Sequence, residues 1–168
     1  MTLTVLTMRR ALAAMIFALL ACAIVTPANA AIKVVKGSNG EILSASATSV
    51  KSGEVITVKG KYFDETVGIY LGFCVIPKNG KIPTPCGGGV NKDGTGNASL
   101  WISSNPPPYG VGLAEEFLPG GRFVKKLTIS KIIGKFDCKK VKCAITVRAD
   151  HLRSEDRSFD LFIPITIK

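Results

Sequence analysis

Five apolar residues at period two, Phe159, Leu161, Ile163, Ile165 and Ile167, close this chain and constrain its fold more than any other stretch. That spacing puts one side of an extended segment against a core and leaves the other side polar. Just before it, Ala144-Ile-Thr-Val-Arg-Ala149 also alternates, and the charged segment Asp150 to Arg157 separates the two runs. A tight cysteine pair, Cys138-Lys-Lys-Val-Lys-Cys143, stands in front. Together they predict a sandwich-edge hairpin behind a small disulfide loop, with the rest of the chain supplying a second sheet.

The first 30 residues read as a signal peptide rather than as part of the fold. Arg9 and Arg10 form a basic start, Ala11 to Val25 an apolar run, and Ala28-Asn29-Ala30 a small-residue cleavage site. The run is too short and wrongly flanked to span a bilayer. A competing reading is a lipoprotein signal, because Leu19-Leu-Ala-Cys22 lies near a lipobox. Cleavage after Ala30 leaves 31–168 as one domain, expected to be extracellular and monomeric, with room for a proper core. Losing Arg9 and Arg10 takes the formal charge from +10 to +8, so the remaining chain is still basic.

Export also removes Cys22 and leaves four cysteines, Cys74, Cys86, Cys138 and Cys143. An even number in an oxidising compartment reads as two disulfides. Three connectivities are possible, and sequence neighbours favour Cys74–Cys86 with Cys138–Cys143. Cys-x-x-Cys spacing is absent, which argues against a zinc site.

In chain order, Ile32-Lys-Val-Val35 precedes a Gly-Ser-Asn-Gly turn, and Glu41 to Val50 suits an edge strand. Glu54 to Lys59 is a β-branched strand stopped by Gly60. Val67, Ile69, Leu71, Phe73 and Val75 alternate through the next, with Gly68 and Gly72 on its other side. Glycines on one face of a strand signal that something approaches closely. Pro77 to Gly89 and Asn91 to Asn97 are loop and turn. In Ala98 to Ser103, Ala98, Leu100 and Ile102 share a face and Trp101 takes the other. Asn105 to Gly121 is the least regular stretch, and Phe123 to Ile133 returns as a strand. About seven short strands and no helical stripe predict an all-β, immunoglobulin-like antiparallel sandwich.

Chemistry-bearing motifs are sparse. Pro106-Pro-Pro-Tyr109 reads as a rigid polyproline loop rather than a WW ligand. Gly87-Gly-Gly89 lacks the Lys-Ser/Thr of a phosphate loop, and Asn97-Ala-Ser99 matters only in a glycosylating host. His151 is the only histidine and sits in a charged turn, so no nucleophilic triad can be assembled and no cofactor is predicted. We therefore expect a protein that is not an enzyme. The spread lysines attract anions in general: wall polymer, lipid headgroups or nucleic acid. Few aromatics are interleaved with them, so nucleic-acid binding is a weak expectation.

A strand ending in Cys74, a loop to Cys86, and the late Asp137-Cys138-x4-Cys143 pair resemble the neocarzinostatin family of secreted actinobacterial apoproteins. The resemblance covers 41–168 and implies an immunoglobulin-like sandwich with two short-range disulfides. It also implies a cleft holding a small apolar chromophore for delivery to DNA, with any DNA association running through that ligand. The first disulfide and Ile76 would border the cleft. This chain departs from the family in having Ile76 where the carriers have an aromatic, in its basic charge, and in its insertion at 105–121. The resulting expectation is an antibiotic-related ligand-binding module with Phe73, Ile76, Trp101, Tyr109 and Phe117 lining the cleft. Its alternatives are an envelope or surface module without a small ligand, and a haem-handling module using His151, Tyr62, Tyr70 or Tyr109 as axial ligand.

Overall fold

A computed structural model describes residues 32–78, 80–87 and 99–168. The signal segment 1–30 with Cys22, the turn at 91–97, Gly88, Gly89, Asn97 and Ala98 lie outside the described residues. The strands are β1 (Lys33–Lys36), β2 (Ile42–Ala45), β3 (Ser49–Val50), β4 (Val55–Lys61), β5 (Ile69–Val75) and β6 (Ser99–Ile102). They continue as β7 (Phe123–Thr128), β8 (Ile132–Ile133), β9 (Phe136–Asp137), β10 (Cys143–Ala149) and β11 (Leu161–Ile167). Short 3₁₀ turns occupy Pro108–Gly110 and His151–Arg153.

Two sheets form an immunoglobulin-like antiparallel β-sandwich, one in the order β1-β2-β4-β7 and the other β3-β11-β10-β5-β6. A ribbon of β8 and β9 stands beside them. The period-two pattern explains the packing. Leu43, Ile56, Val58, Phe123 and Leu127 face inward from the first sheet, and Ile69, Leu71, Phe73, Ile145, Val147 and Ile163 from the second. Fully burying each such side chain contributes roughly 1.5–3 kcal/mol, which is what holds the layers together. Lys125 shares the inward parity of Phe123 and Leu127, and its ammonium reaches out to pair with Glu115. Its aliphatic stem packs while its charge stays at the surface.

The disulfides are Cys74–Cys86 and Cys138–Cys143, the neighbour pairing. Other expectations need correction. The closing hairpin does form, with Cys143 opposite Ile165 and Val147 opposite Leu161, but it is not an edge. β5 pairs along all of β10, from Cys143↔Val75 to Ala149↔Ile69, and so places β10 in the interior. At its C-terminal end β11 takes β3 as a parallel neighbour. Phe159 falls before β11 and lines a surface groove instead of the core.

Glu41 to Val50 is not one edge strand. β2 lies between β1 and β4, and the chain then crosses at Ser46–Thr48 to join the other sheet as β3. The stretch 123–133 likewise divides into β7 and β8, so the strands outnumber the expected seven. Gly60 does not stop its strand either, since β4 runs on to Lys61. A Cβ on Gly60 would lie 2.1 Å from Cε1 of Phe123, so the glycine makes room for that ring.

Candidate functional site

The outer face of the five-stranded sheet is built from register. Asp160 precedes β11 next to Leu161, which pairs with Val147, so it neighbours Arg148 on β10; Arg148 pairs with Tyr70 on β5, and Tyr70 with Trp101 on β6. This gives a cross-strand row Asp160–Arg148–Tyr70–Trp101. The next row carries Phe162, Thr146, Gly72 and Ser99, and below it Cys74 faces Cys86. Alternation therefore sends to this face every residue of these strands that is not core.

Over the first row, two loops meet. The turn after β10 brings His151 above Trp101, ring centroids 5.0 Å apart and edge-on. The 105–121 insertion lays Tyr109 along Trp101, centroids 6.5 Å apart with the planes 27° off parallel. The insertion is tied down by Ser103 N–H donating to Glu115 O at 2.8 Å and Glu115 N–H to Trp101 O at 2.9 Å. His151 is held from both sides, Nδ1 2.6 Å from the Tyr70 hydroxyl and Nε2 2.7 Å from the Tyr109 hydroxyl. A neutral imidazole carries one N–H, so one phenol donates to it and the other accepts from it. The accepting phenol keeps its own hydrogen free for a ligand.

Asp150 anchors the clasp from below. The residue is 1% exposed, and its carboxylate accepts from Trp101 Nε1 at 3.0 Å and from Leu152 N–H at 3.0 Å. A Cβ on Gly68 would lie 2.0 Å from Asp150 Oδ2, so the close approach expected at that glycine is a carboxylate. Arg148 stacks its guanidinium 4.9 Å from the centre of the Tyr70 ring. Burial pulls the Arg148 guanidinium below its ordinary value, while nearby Tyr70 and the acidic groups oppose that pull. Burial, and next the charge of Asp150, push the Tyr70 phenol above its usual value, which keeps it protonated. At the row's far end, burial pushes Asp160 up to about 6 despite the Arg157 guanidinium 3.2 Å away.

The five cleft candidates do not come together. Phe73 is fully buried between the sheets, and Phe117 stacks with Phe63 in the core, centroids 6.3 Å apart. The reason is parity: Phe73 alternates with Leu71 and Val75, both core positions. Ile76 borders a separate open groove of about 540 Å³ with Cys138, Val141, Pro164 and Ile165, beside the second disulfide and not the first. Trp101 and Tyr109 do meet, in the clasp. Beside Cys74–Cys86 the described residues, Tyr70, Gly72, Ser99, Thr146 and Arg148 among them, enclose a hollow of only about 20 Å³. That is room for one water. Of the haem-ligand candidates, His151, Tyr70 and Tyr109 converge, and Tyr62 lies apart in a groove with Asp64 and Phe159. Both nitrogens of His151 are engaged, so binding iron through either would break a phenol contact. Arg148, Tyr70 and His151 were not legible as one site, though Arg148 and Tyr70 each carried a signal: polar residues at outward parity in otherwise apolar strands.

No protein-family model and no curated protein matches this chain. Among solved structures it is similar to macromomycin, at 14% identity over 82% of this chain and 100% of that one, with a TM-score of 0.48. That likeness is one of fold.

Proposed function

We infer that this chain is an exported, non-enzymatic binding module that holds a small, largely apolar ligand against the outer face of its five-stranded sheet. The observation that supports the reading is the clasp: Tyr70, His151 and Tyr109 joined by hydrogen bonds over the indole of Trp101. Aromatic faces with a few fixed polar tips are what orient small ligands. Trp101 is 5% exposed and backs the clasp from beneath, whereas Tyr109 is 61% exposed and supplies the free edge for a ligand. The hollow beside the first disulfide is too small to enclose such a ligand, so the ligand lies across the open face. DNA association, on this reading, passes through the ligand and not through the protein surface. Two disulfides fit release into an oxidising compartment, after cleavage at Ala30.

The test is native mass spectrometry and absorbance on protein purified from its own host under mild conditions. A mass above that of 31–168 with two disulfides, lost on denaturation and absent from Tyr70→Ala/Tyr109→Ala, is the expected result. A bare mass for the parent protein would sink the small-ligand reading. A Soret band would make the ligand haem, and lipid on Cys22 would overturn the cleavage site.

A further inference from the structure

The outer face of the other sheet carries a different chemistry. On β1, β2, β4 and β7 the outward positions are Val34 and Lys36, Ile42 and Ser44, Val55, Thr57, Lys59 and Lys61, and Val124, Lys126 and Thr128. Not one is acidic. Register gathers the cations: Lys36 pairs with Ile42 and Ile42 with Lys61, while Lys59 pairs with Val124 one step from Lys126. All four lysines are exposed, and among the described residues none is in an ion pair. Beside them, Val34, Val55 and Val124 are each 54% exposed, and Val34 and Val124 share a cross-strand row with Lys59. Four strands at about 4.8 Å spacing make a patch some 15 Å wide.

We propose that this face docks flat on an anionic lipid bilayer. Charge complementarity calls for a polyanion, and three features select the bilayer among polyanions. The face carries no aromatic residue at its outward positions, and single-stranded nucleic acids are held largely by stacking on aromatics. The open grooves at Tyr62 and Ile76, which could seat a polymer chain, are lined by other residues and not by these outward positions. Finally, lysines interleaved with exposed aliphatic side chains match the two attractions of a membrane surface, headgroup charge and the acyl boundary. The ligand clasp belongs to the opposite sheet and would face away from the membrane, free for its ligand.

The experiment is co-sedimentation of the protein, both disulfides formed, with vesicles of phosphatidylcholine alone or with one-quarter phosphatidylglycerol. Binding only to the anionic vesicles, weakening with added salt, is expected. Each lysine near such a surface is worth about fivefold in affinity, so Lys36→Gln/Lys59→Gln/Lys61→Gln/Lys126→Gln should lose several-hundred-fold. A second quadruple, Lys139→Gln/Lys140→Gln/Lys142→Gln/Lys168→Gln, removes equal charge elsewhere and should change binding less than about threefold. Val34→Ser/Val124→Ser keeps every charge and should weaken binding about tenfold, because aliphatic burial is lost. Equal loss in the two lysine quadruples would reduce the effect to net charge and overturn the docking face. So would persistence in the sheet-face quadruple, absence of vesicle binding, or binding of a DNA duplex in its place.

Discussion

Replacing Asp150 by asparagine isolates the group on which the clasp stands. The carboxylate has two oxygens and accepts from two donors, the Trp101 indole and the Leu152 amide. Asparagine has one acceptor oxygen. It keeps one of these bonds and turns its own N–H₂ toward the donor of the other. Hydrogen bonds to a charged group contribute about 1.5–3 kcal/mol each, and a buried donor left unpaired adds its desolvation cost. The expected loss is therefore about 2–3 kcal/mol. For a domain near this size that is about 8–12 °C in Tm. Urea unfolding followed by circular dichroism, with disulfides intact, measures it. Fluorescence is unsuitable because Trp101 is the only tryptophan. A double-mutant cycle with Trp101→Phe separates the indole bond from the capping bond, and a coupling near 1.5 kcal/mol is expected. If Asp150→Asn costs less than about 0.5 kcal/mol, or the cycle shows no coupling, the carboxylate does not organise the clasp and the reasoning fails.

Two further outcomes follow from the same geometry. Asp160 titrates at about 6 in the fold against an ordinary 3.8, so its charged form is disfavoured by folding. The folded state then holds the proton more tightly, so the contribution of Asp160 to stability is full below pH 4 and is lost as pH rises through about 6. Its contribution is at most about 3 kcal/mol, at 1.36 kcal/mol per pKa step. Asp160→Asn should flatten that segment of a stability profile measured between pH 4 and 7, and an unchanged slope would refute the assignment. Gly60→Ala should destabilise by about 1–3 kcal/mol, because the new methyl enters the space of the Phe123 ring. A neutral or stabilising result in thermal unfolding would show that the ring can move aside.

How much of the site was readable differs by residue. Alternation alone puts Trp101 on the face opposite Leu100 and Ile102, and it lies there. Gly68 marks a point of close approach in the sequence, but nothing local says that a carboxylate is what approaches it. Phe73 shows the limit: the family resemblance suggests a place for it in the cleft, while its own period-two position with Leu71 and Val75 puts it in the core. Phe117 had no periodic context, so its place beside Phe63 could not be read locally. His151 reads in the sequence only as a lone histidine in a charged turn or a haem-ligand candidate. Its partners stand 81 and 42 positions away in the chain, a distance that local patterns do not cross.

The all-β class, the parity of each strand and the neighbouring cysteines available to pair are local properties, because they depend on spacing over a few residues. Which strand neighbours which was decided in three dimensions. β10 became interior because β5 returned to pair with it, and Glu41 to Val50 divided because its two halves bury against different sheets. The same long-range pairing aligned Asp160, Arg148, Tyr70 and Trp101 in one row, and gathered Lys36, Lys59, Lys61 and Lys126 on the opposite face. Register across strands is set by the packing of the whole core, and a single stretch of chain does not contain it.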